Sequence, residues 1–180
     1  MTEQRIEDLT IGGERTLEHI DHDALERFCF PDGQGFPPSY AAFVRHLGWA
    51  RLFGLWLIYP PVLPGHADGL LGRGRSLTAR FAEEYREGEA EGFDWIVEPD
   101  GDWRRTQSLQ VFGWSENGDV LLWDTSARDE AGEFPIWESA RMQSLHRRGS
   151  NLIEVLPGLR MRAGSLTMDH DAQPLTSSLL

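Results

Sequence analysis

Four residues near the start of the chain, His19, Asp21, His22 and Asp23, form its densest cluster of metal-ligating side-chain types. On a helix, His19 and His22 would share a face, the arrangement by which paired imidazoles hold a transition metal. No further His or Cys stands at motif spacing, and Asp at a helix start serves as a cap, so capping is the first reading of the cluster. A second group, Gly69, Gly72 and Gly74 with Arg73 and Arg75, precedes a helix expected from Ser76. A glycine-rich turn feeding a helix can cradle phosphate through its backbone N–H groups, but this spacing matches neither the dinucleotide fingerprint nor the P-loop. It reads as a surface loop. For nucleophilic catalysis there is no Gly-x-Ser-x-Gly, and Cys29 stands among apolar residues rather than the basic neighbours that activate a thiol. No pair of carboxylates is singled out as acid and base. The chain therefore reads as a non-enzyme with no cofactor.

Composition narrows the classes further. The 180 residues carry 29 acidic and 17 basic side chains, a net charge of −12, with 40% hydrophobic and 11% aromatic residues. That length suits one domain, and that apolar content suits a packed core rather than disorder. Every basic residue is an arginine. P-loop lysines, kinase-type strand lysines and Schiff-base lysines are thereby excluded, with the chemistries that need them. A sequence pI near 4.8 disfavours nucleic acid as a partner, because phosphate neutralisation needs a basic face. A single cysteine rules out internal disulfides and thiolate zinc clusters and suits a reducing cytoplasm. The polar start, Met1 to Gly13, shows no signal peptide, and the longest apolar run, Leu52 to Tyr59, is short of a membrane span. The expectation is a soluble cytoplasmic protein that engages no membrane.

The charge is concentrated. Between Glu83 and Asp102 nine carboxylates face the single Arg86, a net −8 in twenty residues and two-thirds of the chain's total. Phe93, Trp95 and Trp103 stand within or beside this run. A solvated helix face would explain the charge, and core packing the tryptophans. The functional alternative is an acidic surface with aromatic anchors that docks a basic protein, which would relieve the repulsion and speed association. Its candidate partner-binding residues are Glu83, Glu84, Glu87, Glu89, Glu91, Asp94, Trp95, Asp100, Asp102 and Trp103. Among the other tryptophans, Trp49, Trp56, Trp114 and Trp123 read as core, whereas Trp137 has charged neighbours and reads as an interface candidate if exposed.

The elements that must position these residues are legible in outline. Met1 to Glu14 reads as a lead-in, residues 15–165 as one domain and 166–180 as a tail. Asp21 to Phe30 predicts a short helix capped by Asp21. Pro37 to Leu47 predicts the clearest helix, with Tyr40, Phe43, Val44 and Leu47 at helical spacing and Gly48 ending it. Leu52 to Tyr59 predicts one buried strand, and Pro60 to Gly74 a loop. A second helix follows from Leu77 to about Glu87. Trp95–Val97, Leu109–Trp114 and Val120–Trp123 predict strands, the last two joined by a hairpin at Asn117-Gly118. Phe134–Trp137 predicts an edge strand because of Pro135. Ser150–Leu156 predicts a closing helix interrupted or ended by Pro157. Helices first and a hairpin-rich centre give a single-domain α+β class with a central, mostly antiparallel sheet flanked by helices.

Phe36-Pro37-Pro38-Ser39-Tyr40-Ala41-Ala42-Phe43-Val44, followed by Leu47-Gly48, resembles the Leu-Pro-x-x-Tyr-x-x-Phe-Leu … Gly signature of the SUKH superfamily, the Smi/Knr-type proteins. Leu52 to Pro61 is similar to that family's next strand, Phe112 to Asp124 to its hairpin, and Phe134 to Trp137 to the strand after it. The likeness spans residues 36–138. It implies an α+β fold and, since many bacterial members are immunity proteins, a protein that binds and neutralises a cognate polymorphic toxin. Such toxins are often nucleases with basic grooves, and the 83–102 segment would suit one. No catalytic residue carries over, because the family acts by binding. Two further readings stand beside this one: an interaction scaffold or regulator without a toxin, and a metal-dependent enzyme built around His19 and His22.

Overall fold

Among the described residues, seven strands form one antiparallel sheet. A computed structural model describes residues 5–15, 17–66, 69–164 and 169–176. The strands are β1 (Ala50–Leu52), β2 (Trp56–Ile58), β3 (Leu109–Ser115), β4 (Val120–Asp124), β5 (Ile136–Ser139), β6 (Leu145–Gly149) and β7 (Ala172–Pro174), in the order β6-β5-β4-β3-β2-β1-β7. From β1 to β6 each strand pairs with its sequence neighbour; the connections are short except between β2 and β3, where the chain leaves the sheet to form α3 and α4. Among the described residues five α-helices flank it: α1 (His22–Arg27), α2 (Pro38–Leu47), α3 (Arg75–Glu91), α4 (Trp103–Thr106) and α5 (Leu152–Ala163). The class is α+β, in one domain.

Two adjacent residues of β5 show how the layers stack. Glu138 takes the Arg162 guanidinium of α5, while Ser139 meets the Tyr85 hydroxyl of α3 at 2.8 Å. Successive strand side chains point to opposite faces, so α5 and α3 cover opposite sides of the sheet. α2 contacts α5, and its Tyr40 ring packs edge-on to Trp123 at 4.8 Å. Trp123 in turn lies flat on Phe112, at 4.4 Å and 4°. Tyr40, Trp56, Phe81, Tyr85, Phe112 and Phe134 are fully buried in the resulting core.

Several expectations are met and others corrected. Asp21 caps α1, accepting from Ala24 N–H at 2.8 Å. α2 starts at Pro38 and stops at Gly48, whose φ of 65° favours glycine. The apolar run at 52–59 is a hairpin rather than one strand. Phe53 and Gly54 both take positive φ, and Leu55 N–H bonds Leu52 O at 3.0 Å. Trp95–Val97 is no strand; Asp94–Ile96 makes a 3-10 turn. β5 is interior, between β4 and β6, because Pro135 precedes the strand and its carbonyl accepts from Asp124 N–H at 3.0 Å. α5 continues through Pro157, which faces solvent at the sixth helical position. Ile6 and Leu9 of the expected lead-in are buried in the core, and β7 brings residues 172–174 of the expected tail into the sheet. Residues 1–4, 165–168 and 177–180 of the lead-in and tail lie outside the described residues.

Candidate functional site

α3 positions the acidic segment. It buries Leu77, Phe81, Tyr85 and Gly88 against the sheet and the following turn, a face of period 3.6. Glu83, Glu87 and Glu91, four residues apart, therefore form one solvent-facing stripe with Glu84 beside it, and Glu89 falls on the opposite flank. All five are exposed. Arg80 pairs with Glu84 at 3.1 Å; among the described residues no ion pair neutralises the other four.

This charge arrangement opposes the helix that carries it. No acid stands in the first turn of α3 and no base in the last, where Glu89 and Glu91 face the negative end of the helix dipole. A charge of unfavourable sign in a terminal turn costs about 0.3–1 kcal/mol. Glu83–Glu87 and Glu87–Glu91 are also like-charge pairs one turn apart, which destabilise a helix by a few tenths of a kcal/mol each. Helix stability does not account for these residues.

Beyond α3 the chain turns back on the helix. Gly92 closes it in the left-handed conformation, φ 73° and ψ 33°. Gly88 admits the next turn: a Cβ there would lie 2.3 Å from Ile96 Cδ1, so a larger residue would displace the Ile96 side chain from where it packs on the helix. Ile96 and Val97 are buried, which pushes the intervening aromatics outward. Phe93 and Trp95 are 40% and 57% exposed, and their rings stack at 4.7 Å and 29°. Trp103 is half-buried, its ring edge-on to Tyr85 at 6.5 Å, and its indole N–H donates to Asp94 at 2.8 Å.

The remaining carboxylates serve the backbone. Asp100 accepts from Arg147 N–H at 3.0 Å, and Leu145 N–H bonds Glu98 O at 2.9 Å, so residues 98–100 cover the outer edge of β6. Asp102 caps α4, accepting from Arg105 N–H at 2.7 Å. Glu89 apart, on the opposite flank of α3, the expected residues thus divide into two groups. Glu83, Glu84, Glu87 and Glu91 share one side of α3, with Asp94, Trp95 and Trp103 just past its end. Asp100 and Asp102 lie farther on, fixed along the sheet edge.

Chain comparisons add no relative: no family model, no curated protein and no solved structure matches. The site stands on its geometry alone.

Phe93 belongs with the site although the charge pattern did not single it out. The signal was its spacing from Trp95, two residues on, which a 3-10 turn brings together. Trp137 leaves the list of interface candidates, because it is 4% exposed beneath the Arg105 guanidinium. Trp49, Trp56 and Trp123 are buried and Trp114 half-buried. Cys29 is exposed rather than packed in apolar surroundings.

The His19 cluster does not form as a helical pair. α1 begins at His22, which is exposed, whereas His19 is buried beside Trp49 and His66, their rings at 6.3 and 6.1 Å from its own. Burial, with His66 adding to it, holds the His19 pKa below the ordinary imidazole value. Among the described residues no group of three or more His, Cys, Asp or Glu side chains converges as metal ligands would.

Deeper in the fold, two carboxylates organise structure rather than surface. Glu138, fully buried on β5, is bonded by Arg148 Nε at 2.9 Å and by Arg162. Glu133 accepts from Ser39 N–H at 2.7 Å and Ser39 Oγ–H at 2.8 Å, supplying α2 with the N-terminal acceptor that Pro37 lacks. Burial pushes both carboxyls above the usual range, and the hydrogen-bonding partners only partly offset it.

Proposed function

We propose that this chain is a non-catalytic binding protein that neutralises a basic protein, a toxin domain in the immunity-type reading, by forming a complex through the exposed side of α3 and the turn after it. One observation carries the proposal. The stacked Phe93–Trp95 pair stands exposed beside carboxylates whose placement weakens their own helix. Large aromatics left in water just past a helix that carries exposed glutamates have the composition of an interface anchor for a cationic surface. Arginine or lysine side chains of the partner would lie over the Phe93 and Trp95 rings while Glu83, Glu87 and Glu91 meet neighbouring cations. A groove built to hold phosphate offers such cations, so a nuclease-type partner suits this face.

Capture from the native host tests the reading. The full chain and the variant Glu83→Arg/Glu87→Arg/Glu91→Arg serve as baits, and retained proteins are identified by mass spectrometry. The wild-type chain should retain a basic protein that the variant loses. Retention of the same proteins by both baits would remove the acidic face from the interaction.

A further inference from the structure

The amino-terminal end of α3 carries the opposite character. Here a cavity of about 260 Å³ opens between the helix start and the aromatic loop that precedes α2. Its walls are rings and aliphatic side chains, chiefly Phe28, Phe30, Phe36, Trp123, Leu70 and Leu71, and no carboxylate lines it. Phe28 and Phe36 stack face to face at 4.7 Å and 13°, and Phe30 stands edge-on to both, so flat surfaces and a ring edge surround the space. Three polar side chains reach it: Arg75, Gln110 and Thr78. The Thr78 hydroxyl is occupied, donating to Gly74 O at 2.9 Å and accepting from Val111 N–H at 2.9 Å. The other two are not. Arg75 is exposed without an ion pair, and the Gln110 amide is without a hydrogen-bond partner, among the described residues. The segment that forms this wall, Leu70–Gly74, is a π-helical turn closed by Gly74 N–H to Gly69 O at 3.0 Å. Such wide turns recur at functional sites.

We infer that this cavity binds a small planar aromatic anion, an aryl carboxylate in chemical class. Its volume lies just below the usual range for ligand sites, which limits the occupant to one or two fused rings. Aromatic walls select a flat π-system, because stacked and edge-on contacts both favour it over an aliphatic chain. The Arg75 guanidinium matches a carboxylate in two-pronged geometry, and Gln110 adds a neutral donor. In a chain of net charge −12, an arginine without an ion pair among the described residues, lining an apolar cavity free of acids, is suited to receive an anion. α3 is about 25 Å long at 1.5 Å per residue, so this site and the acidic face are separate.

Calorimetric titration of the full chain with 2-naphthoate tests the assignment, with 2-naphthamide as the neutral analogue and hexanoate as the aliphatic one. Naphthoate should bind with a Kd below about 1 mM, a modest affinity for a ligand of this size, and more tightly than either control. R75Q changes an exposed side chain and should weaken naphthoate about tenfold while leaving naphthamide unchanged. L71W should fill the cavity and abolish naphthoate binding in a chain that retains its wild-type circular dichroism. Absence of binding to the wild-type chain, equal binding of hexanoate, or an R75Q variant that binds naphthoate as tightly as wild type would each overturn the proposal.

Discussion

The indole N–H of Trp103 donates to the Asp94 carboxylate at 2.8 Å, joining the start of α4 to the turn that presents Phe93 and Trp95. One neighbour is therefore held while the other is left in water. Trp103→Phe removes the donor and part of the packed indole, and denaturant unfolding should show a loss of about 1–3 kcal/mol, the bond and the lost packing together. Trp95→Ala, at a side chain 57% exposed, should change stability by less than about 0.5 kcal/mol. A large loss for Trp95→Ala would mean that its ring serves the fold rather than an interface.

Relieving the charge on α3 should stabilise the chain. Glu89→Arg and Glu91→Arg each place a favourable charge in the last helical turn, and each should raise stability by about 0.3–1 kcal/mol at low salt. The gain should shrink in 1 M NaCl, where the Debye length is about 3 Å. Urea midpoints at the two ionic strengths read both effects. A stability loss at low salt would show that these glutamates have stabilising contacts of their own.

How much of this was visible beforehand depended on whether a local rule decided the element. α2 was legible because Pro38, the Tyr40–Leu47 spacing and Gly48 agree on one helix. The β3–β4 hairpin was legible from Asn117-Gly118 between two strand-forming runs. The β1–β2 hairpin was hidden because Phe53 takes a positive φ that its side chain disfavours, and only Gly54 hinted at a turn. Trp95–Val97 has strand composition, yet burial of Ile96 against Gly88 makes it a helical turn, a tertiary effect outside its own sequence. The exposure of Glu83, Glu84 and Glu87 followed from helical spacing, whereas Glu89 and Glu91 lie in a last turn of α3 beyond the expected helix end. The separation of these glutamates from Asp100 and Asp102 was not legible, because it depends on how residues 98–100 lie along β6.

Pro157 offers a test of the least expected element. It lies inside α5 without an N–H to give to Ile153 O, at an exposed position. Pro157→Ala restores that bond. Proline costs about 3 kcal/mol in a helix interior, less about 0.4–1 kcal/mol for the unfolded-chain freedom it removes. Chemical denaturation should show a net gain near 2 kcal/mol. No gain would indicate that the helix already bends to accommodate the ring.

Acidity should act on Glu133 with a definite sign. Its folded carboxyl binds a proton more readily than the unfolded one, so the stability it contributes is fully present below the ordinary carboxylate pKa of 4.5 and declines as pH rises through the raised folded value. The stability difference between wild type and Glu133→Gln should therefore be larger at pH 4.5 than at pH 7. His19 acts in the other direction: with its pKa lowered below 6.5, its contribution is present above 6.5 and lost as pH falls. Unfolding curves of Glu133→Gln and His19→Gln across pH 4.5–7.5 separate the two.

The decisive measurement is the rate at which the chain associates with the basic protein it captures, followed by stopped flow from low to high salt. The wild-type rate should fall steeply with added NaCl, and Glu83→Arg/Glu87→Arg/Glu91→Arg should associate at least tenfold more slowly at low salt with a flattened dependence. A rate indifferent to both salt and charge reversal would contradict the assignment of the α3 face as the docking surface.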